Sequence, residues 1–425
     1  MAKYLKLFEN HTQYETFIGG GGDTPFVRPN VSHCIAENEV HYNPKTMADK
    51  YLTVRILEDG NLGFEFNSYS SEQIPLDYSF NGGITWDGTL TNDNNTILVT
   101  NGQEISFKRG NITSNVNSAS GPLRVVIATN YGNFFSNCQF EVFGNAMSII
   151  DSENFANTNV IHGELQYLFD NCTKLVNAEN LILPATELVR ECYKGMFNGC
   201  TSLVNAPSVL PAMATEERCY ENMFYGCTSL VNAPELPALV MAVGCYIGMF
   251  ENCTSLVNAP ELPAMILNGA GNAGCYNNMF RGCTSLVNAP ELPATSLASS
   301  CYQYMFEGCT SLVNAPELPA TSVAKDCYVG MFSGCTSMTT APELPALSLT
   351  IPRYDSGCYE RMFEGCTNLN YIKAMFTTTP STSYTNQWVS GVAANGTFVK
   401  NSAATWNVTG VNGIPSGWTV ETATE

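Results

Sequence analysis

Residues Cys301-Tyr302-Gln303-Tyr304-Met305-Phe306-Glu307-Gly308-Cys309-Thr310-Ser311-Leu312-Val313-Asn314-Ala315-Pro316-Glu317-Leu318-Pro319-Ala320-Thr321-Ser322-Val323-Ala324-Lys325-Asp326 are the clearest copy of a unit that recurs along the chain. The leading cysteine returns as Cys192, Cys219, Cys245, Cys275, Cys327 and Cys358, with a basic step of 26 residues. A degenerate copy precedes them, with Glu164-Leu165 in place of Cys-Tyr, Leu168-Phe169 in place of Met-Phe, and Cys172 intact. A unit this short cannot bury its own apolar face. About eight of them are therefore expected to stack into a solenoid with one continuous core.

Within a unit, Leu297, Cys301 and Met305 lie four apart, and with Tyr302 and Phe306 they predict one apolar face of a short helix capped near Thr295-Ser296. Gly199, Gly226, Asn252, Gly282, Gly308, Gly334 and Gly365 stand just before the second cysteine, as Asn171 does in the degenerate copy. Gly and Asn are what a left-handed C′ position accepts, so these residues are expected to be the helix C-caps. The core ladder should run through the seven leading cysteines and through Phe197, Phe224, Phe250, Phe280, Phe306, Phe332 and Phe363. The Leu-Val-Asn-Ala-Pro-Glu-Leu-Pro-Ala segment that follows is too rich in proline for a long paired strand. It predicts a short strand at Ser-Leu-Val-Asn and extended chain beyond.

The flanks read differently. Residues 51–58 form an extended apolar run, Asp59-Gly60 a turn, and Leu62, Phe64 and Phe66 alternate after it; a second turn falls at Asn101-Gly102. These predict a small β-sandwich-like domain over 49–117. Residues 1–48, with Gly19-Gly20-Gly21-Gly22, read as an N-terminal arm or anchor. Residues 118–163 and 370–425 are expected to cap the two ends of a solenoid spanning 164–369, the second cap being β-rich around Trp388, Phe398, Trp406 and Trp418. The expected fold is thus an α/β solenoid behind a small all-β domain, closed by a β-rich cap.

Of the 425 residues only 13% are charged, and the formal charge is −19. Clustered Lys and Arg are what release counterions from phosphate, so nucleic acid and anionic membrane are poor partners for such a chain. The start, Met1 to Glu9, has no apolar run of signal length, and no stretch of eighteen apolar residues occurs. A soluble chain made in the cytoplasm, without membrane insertion, is expected.

Seventeen cysteines suggest a disulfide framework, but the chain is long and the count odd. A bond within a repeat is excluded if the eight-residue interval is helical, since that places the two Cα atoms about 12 Å apart. Pairing between stacked equivalents such as Cys309 and Cys335 remains open. Zinc is disfavoured because His11, His33, His41 and His162 all precede the regular repeats. Reduced thiols acting as small buried hydrophobes are the expectation. Glu235, Glu261, Glu291, Glu317 and Glu343 fill one slot in five consecutive repeats and form either a solvated acidic stripe or a place for calcium or a cationic ligand.

Other slots vary from copy to copy. Tyr225, Arg281, Gln303, Tyr304 and Arg361 occupy such slots and are the candidate recognition residues. There is no Gly-rich phosphate loop and no nucleophile elbow. No catalytic residues, metal or cofactor are assigned, and the chain is expected not to be an enzyme.

Met-Phe-x-Gly-Cys-Thr-Ser-Leu resembles the Ala-Phe-x-x-Cys-x-x-Leu core of BspA-type leucine-rich repeats. The longer phrase, running through Ala-Pro-x-Leu-Pro-Ala, is similar to a variant in surface proteins and phage genes of gut anaerobes. Tyr4 to Glu9 and Glu37 to Pro44 resemble leaders of structural proteins of phages that infect such hosts, and Ser79-x-Asn81-x-Gly83-x-Thr85-Trp86 resembles the Asp-box hairpin of sialidases, a folding motif rather than a catalytic one. These resemblances imply a phage virion protein, a tail or head fibre or similar appendage. Its arm would meet other virion proteins, its repeats a host cell-surface glycan or protein, and a homo-oligomer, trimeric by analogy, is expected. The alternative is a bacterial BspA-like surface adhesin.

Overall fold

A computed structural model of the chain describes residues 49–66, 75–110, 132–157, 165–267, 274–349 and 357–423. All belong to one unit spanning 42–425. The expected arm over 1–48, the four histidines, Cys34 and the repeat insertions at 268–273 and 350–356 lie outside the described residues.

Strands β1 (Leu52–Ile56), β2 (Gly60–Phe66), β3 (Leu76–Ser79), β4 (Gly88–Leu90), β5 (Thr96–Val99), β6 (Glu104–Arg109), β7 (Gly132–Ser136) and β8 (Phe140–Asn145) form two antiparallel groups. One runs β8-β1-β6-β3-β4 and the other β5-β2-β7. Leu52, Val54, Ile56, Leu62 and Phe64 are completely buried. Phe64 stands opposite Phe134 in the β2–β7 register, their rings edge-on at 4.9 Å. The β3–β4 loop is closed by Asn81, whose Oδ1 accepts from the Thr85 N–H while its Nδ2 donates to Thr85 Oγ1. β7 and β8 come from the stretch expected to be a separate cap, yet they pair with β2 and β1. The boundary expected at 117/118 is therefore crossed by both sheets.

The sheet continues into the first repeat. β9 (Leu175–Asn177) and β10 (Leu181–Ile182) both pair in parallel with β8. Beyond them, the short strand expected in each repeat reduces to single parallel bridges, Asn177 to Asn205 to Asn232 to Asn258 to Asn288 to Asn314. The proline two residues after each of these later asparagines cannot donate, so no ladder grows from the bridge.

Among the described residues there is no α-helix, which corrects the helical half of the expected fold. The Cys-Tyr-x-x-Met-Phe segments are ribbons of successive turns. In the copy at 300–309, Ser300, Tyr304 and Gly308 have φ of +56°, +54° and +73°. The N–H groups of Gln303, Met305, Glu307 and Cys309 bond three residues back, whereas those of Tyr302, Tyr304, Phe306 and Gly308 bond carbonyls of the next coil. A right-handed helix needs negative φ throughout and sends every N–H back within the segment. An apolar spacing of four suits both structures. A helix of two turns is marginal alone, while the ribbon gains inter-coil hydrogen bonds that recur at every step of the stack. The residues expected to be helix C-caps, Gly199, Gly226, Asn252, Gly282, Gly308, Gly334 and Gly365, do take left-handed φ, but each closes a turn and ends no helix.

The core consists of parallel columns. Phe134, Phe169, Phe197, Phe224, Phe250, Phe280, Phe306, Phe332 and Phe363 stack at 5.2–5.9 Å between ring centroids, and Tyr193 to Tyr359 form a second column at 5.5–5.9 Å. Coils joined by strand-like hydrogen bonds stand about 4.8 Å apart. The larger centroid distance means that the rings are offset, the arrangement preferred by their quadrupoles.

The C-terminal segment extends the same stack. β11 (Tyr371–Ala374), β12 (Thr397–Lys400) and β13 (Thr419–Thr422) pair in parallel. Residues 384–391 form a further turn ribbon: the N–H groups of Tyr359, Arg361, Phe363 and Gly365 bond Tyr384, Asn386, Trp388 and Ser390. Gln387 and Gly391 there take φ of +57° and +77°.

Candidate functional site

Two side-chain slots of each ribbon face outward between the fixed core positions. The first is the left-handed residue in mid-ribbon and the second lies three residues later. Over four consecutive coils they hold Asn278 and Arg281, Tyr304 and Glu307, Gly330 and Ser333, Arg361 and Glu364. These eight positions, Gly330 apart, line an open groove of about 390 Å³. The groove exists because the third coil carries almost no side chain between bulky neighbours.

Local backbone explains why Gly330 is there. Its φ is +59°, and a Cβ on it would stand 2.3 Å from the Tyr304 ring. Tyr304 thus lies over the bare backbone of the next coil. Tyr167 lies over Gly195 in the same way. Around the groove, charges are paired: Arg281 Nε meets Glu307 Oε2 at 2.6 Å, its Nη1 meets Glu251 Oε1 at 3.4 Å, and Arg361 Nε meets Glu364 Oε2 at 2.6 Å. Burial raises the Glu251 carboxyl above its usual range against the opposing pull of Arg281, and burial followed by the Glu307 charge raises the Tyr304 phenol. Asn278 Oδ1 is shielded from water and has no hydrogen-bond partner.

Of the five residues expected from sequence, the structure brings Arg281, Tyr304 and Arg361 together. Gln303 is turned aside, its Oε1 accepting from Asn277 Nδ2 at 3.0 Å, and Tyr225 sits in the second slot of an earlier coil. Sequence reasoning missed Ser333 and Glu364, and above all the gap left by the Gly330–Ser333 coil. The signal was present as one copy with small residues in both slots flanked by copies with large ones.

The cysteines are structural. All sixteen in the described residues are free and buried. The second cysteine of each repeat has a fixed partner: Sγ of Cys172, Cys200, Cys227, Cys253, Cys283, Cys309, Cys335 and Cys366 donates to the carbonyl of the preceding coil's phenylalanine at 2.8–3.1 Å. Burial pushes the Cys309 and Cys366 thiols up to about 12 and Cys245 to about 11, so these three are not poised as nucleophiles. Glu235, Glu261, Glu291, Glu317 and Glu343 are exposed along one edge, and Glu343 Oε2 meets Lys373 Nζ at 2.8 Å. Among the described residues no group of three or more His, Cys, Asp and Glu is placed to hold a metal ion, and no helix is long and apolar enough to cross a membrane.

Stacked turn ribbons with an invariant Phe-Cys core and variable outward slots define a leucine-rich repeat protein. Residues 165–260 and 271–387, half of the chain, match the BspA type leucine-rich repeat region in six copies, and the chain belongs to that family. No curated protein matches it. Among solved structures, it is similar to the crystal structure of a leucine-rich repeat protein from Bacteroides ovatus, at 16% identity and a TM-score of 0.22, over 63% of this chain and 82% of that one.

Proposed function

We propose that the chain is a non-enzymatic recognition protein, a solenoid of the eight repeats and the added coil at 384–391, which presents the groove between Asn278 and Glu364 to a partner at a cell surface. The observation that carries this reading is the division of labour within the repeat. Residues that bond or stack between coils are nearly constant, while the two outward slots change from coil to coil and converge on one groove. Recognition needs such variation on a rigid frame. The thiols are locked in the core.

We place this protein on a phage virion, as a tail or head fibre or similar appendage held by residues 1–48 to other virion proteins. Support comes from the resemblance of Tyr4 to Glu9, Glu37 to Pro44 and the Cys-Tyr-x-x-Met-Phe phrase to such proteins. Electron microscopy of purified particles with a labelled antibody tests the placement. Label on particles is expected, and label confined to bacterial cell surfaces would move the protein to the second reading, a BspA-like surface adhesin, which family membership favours.

A further inference from the structure

The groove also has the chemistry of a particular ligand class, and this inference rests on the recognition role proposed above. We propose that the gap over Ser333, beside the Tyr304 ring, seats an uncharged sugar ring of a surface glycan. The volume of about 390 Å³ lies at the small end of the range of roughly 300–1,000 Å³ for small-molecule sites, room for one or two rings. One side is Tyr304, a flat aromatic held in place against Gly330. Sugar C–H faces pack on such rings because burying the ring's apolar face stabilises the contact while hydroxyls remain at the rim.

Charge excludes the main competitors. Arg281 and Arg361 would draw a sulfate, phosphate or carboxylate, but Glu307 and Glu364 stand within hydrogen-bond distance of them and cancel their charge. An anion entering the groove would meet two carboxylates as well as two guanidiniums. A cation meets the converse problem. What remains is a neutral ligand that both donates and accepts. Guanidinium N–H groups beyond the paired Arg281 Nε and Nη1 and Arg361 Nε donate, Glu307 and Glu364 accept, and Ser333 does either. A polyhydroxylated ring supplies both kinds of group on every edge.

The test uses the full chain on an array of neutral, sialylated and sulfated oligosaccharides, beside two variants built to keep the scaffold. Ser333→Tyr fills the gap, and Tyr225 already occupies the equivalent slot of another coil; Tyr304→Gly removes the platform, and Gly330 occupies that slot in the next coil. Binding to neutral glycans is expected, weakened at least tenfold in both variants with unchanged melting temperature. Binding restricted to sialylated or sulfated glycans, binding to none, or neutral-glycan binding untouched by Ser333→Tyr would overturn the proposal. A parallel assay on intact cells of gut anaerobes separates the two ideas. Adhesion that survives periodate oxidation of surface sugars but not proteinase treatment sinks the sugar and leaves recognition standing, whereas adhesion to no cells overturns both.

Discussion

Cys309 Sγ donates a hydrogen bond to the carbonyl oxygen of Phe280, one coil back, at 3.1 Å. That carbonyl already accepts the N–H of Cys283 within its own ribbon. The thiol therefore reaches the second lone pair of a buried carbonyl and ties two coils through a side chain. This explains a cysteine there: alanine lacks the donor, and both are small enough to stay buried beside the phenylalanine column.

Replacing Cys309 by Ala removes a weak donor and opens a small void, and should cost about 1–2 kcal/mol. The change is expected to lower the melting temperature without altering the far-ultraviolet spectrum. Equal stability for Cys309→Ala would show that the sulfur contact contributes nothing.

The thiols should be unreactive in the folded chain. Native protein at pH 8 is expected to leave the sixteen described cysteines unmodified by a thiol reagent, while denatured, unreduced protein exposes every one of them. Fewer than sixteen reactive thiols after denaturation would reveal disulfides and contradict the free state.

Alkaline pH should destabilise the stack. Burial raises the tyrosine column from Tyr193 to Tyr359, and raises Cys245 to about 11 and Cys309 to about 12. In the unfolded chain thiols ionise near pH 8.5 and phenols near 10, so between there and the folded values the unfolded state holds fewer protons and stability falls as pH rises. The contribution is complete below about pH 8.5. Melting temperatures are expected to drop steadily from pH 9 to 11, with the buried phenolates seen at 295 nm only on unfolding. A flat profile would refute the buried column.

The glycine column is not uniform. Gly282 and Gly308 share φ of +73°, so alanine at either costs about 1–2 kcal/mol for the left-handed backbone. A Cβ at Gly282 would also stand 2.4 Å from Asn252 Oδ1, whereas at Gly308 its nearest neighbour is 3.8 Å away. Gly282→Ala should therefore be the more damaging, and adding Asn252→Gly should remove the difference. Identical melting temperatures for the two single variants would discount the Asn252 contact.

Trp388 closes the end of the stack. It is completely buried, leans on both Tyr359 and Phe363, and its Nε1 donates to Gly413 O at 2.8 Å. Trp388→Ala should cost about 3–5 kcal/mol and expose core to a hydrophobic dye. Unchanged dye binding would place the closing contact elsewhere.

Much of this architecture was legible in the residues. The period, the identity of the buried positions, the left-handed Gly and Asn slots, and three groove residues follow from comparing copies. The helix did not survive, because four-residue spacing fits a turn ribbon as well as a helix and the deciding N–H partners lie in the next coil. Trp388 and Gly391 follow Met362 and Gly365 by 26 residues, so the added coil at 384–391 was within reach of the period alone. Its missing cysteines hid it.

By itself the sequence determined that this protein repeats and which side chains each repeat buries, cysteines among them. Those are properties of composition and spacing, repeated often enough to average out local ambiguity. Only the tertiary structure decided where each backbone N–H goes and which variable residues meet. Both depend on neighbours about 26 residues away in the chain but one coil away in space. Tyr304 and Arg361 become one groove only once the Gly330–Ser333 coil lies between them.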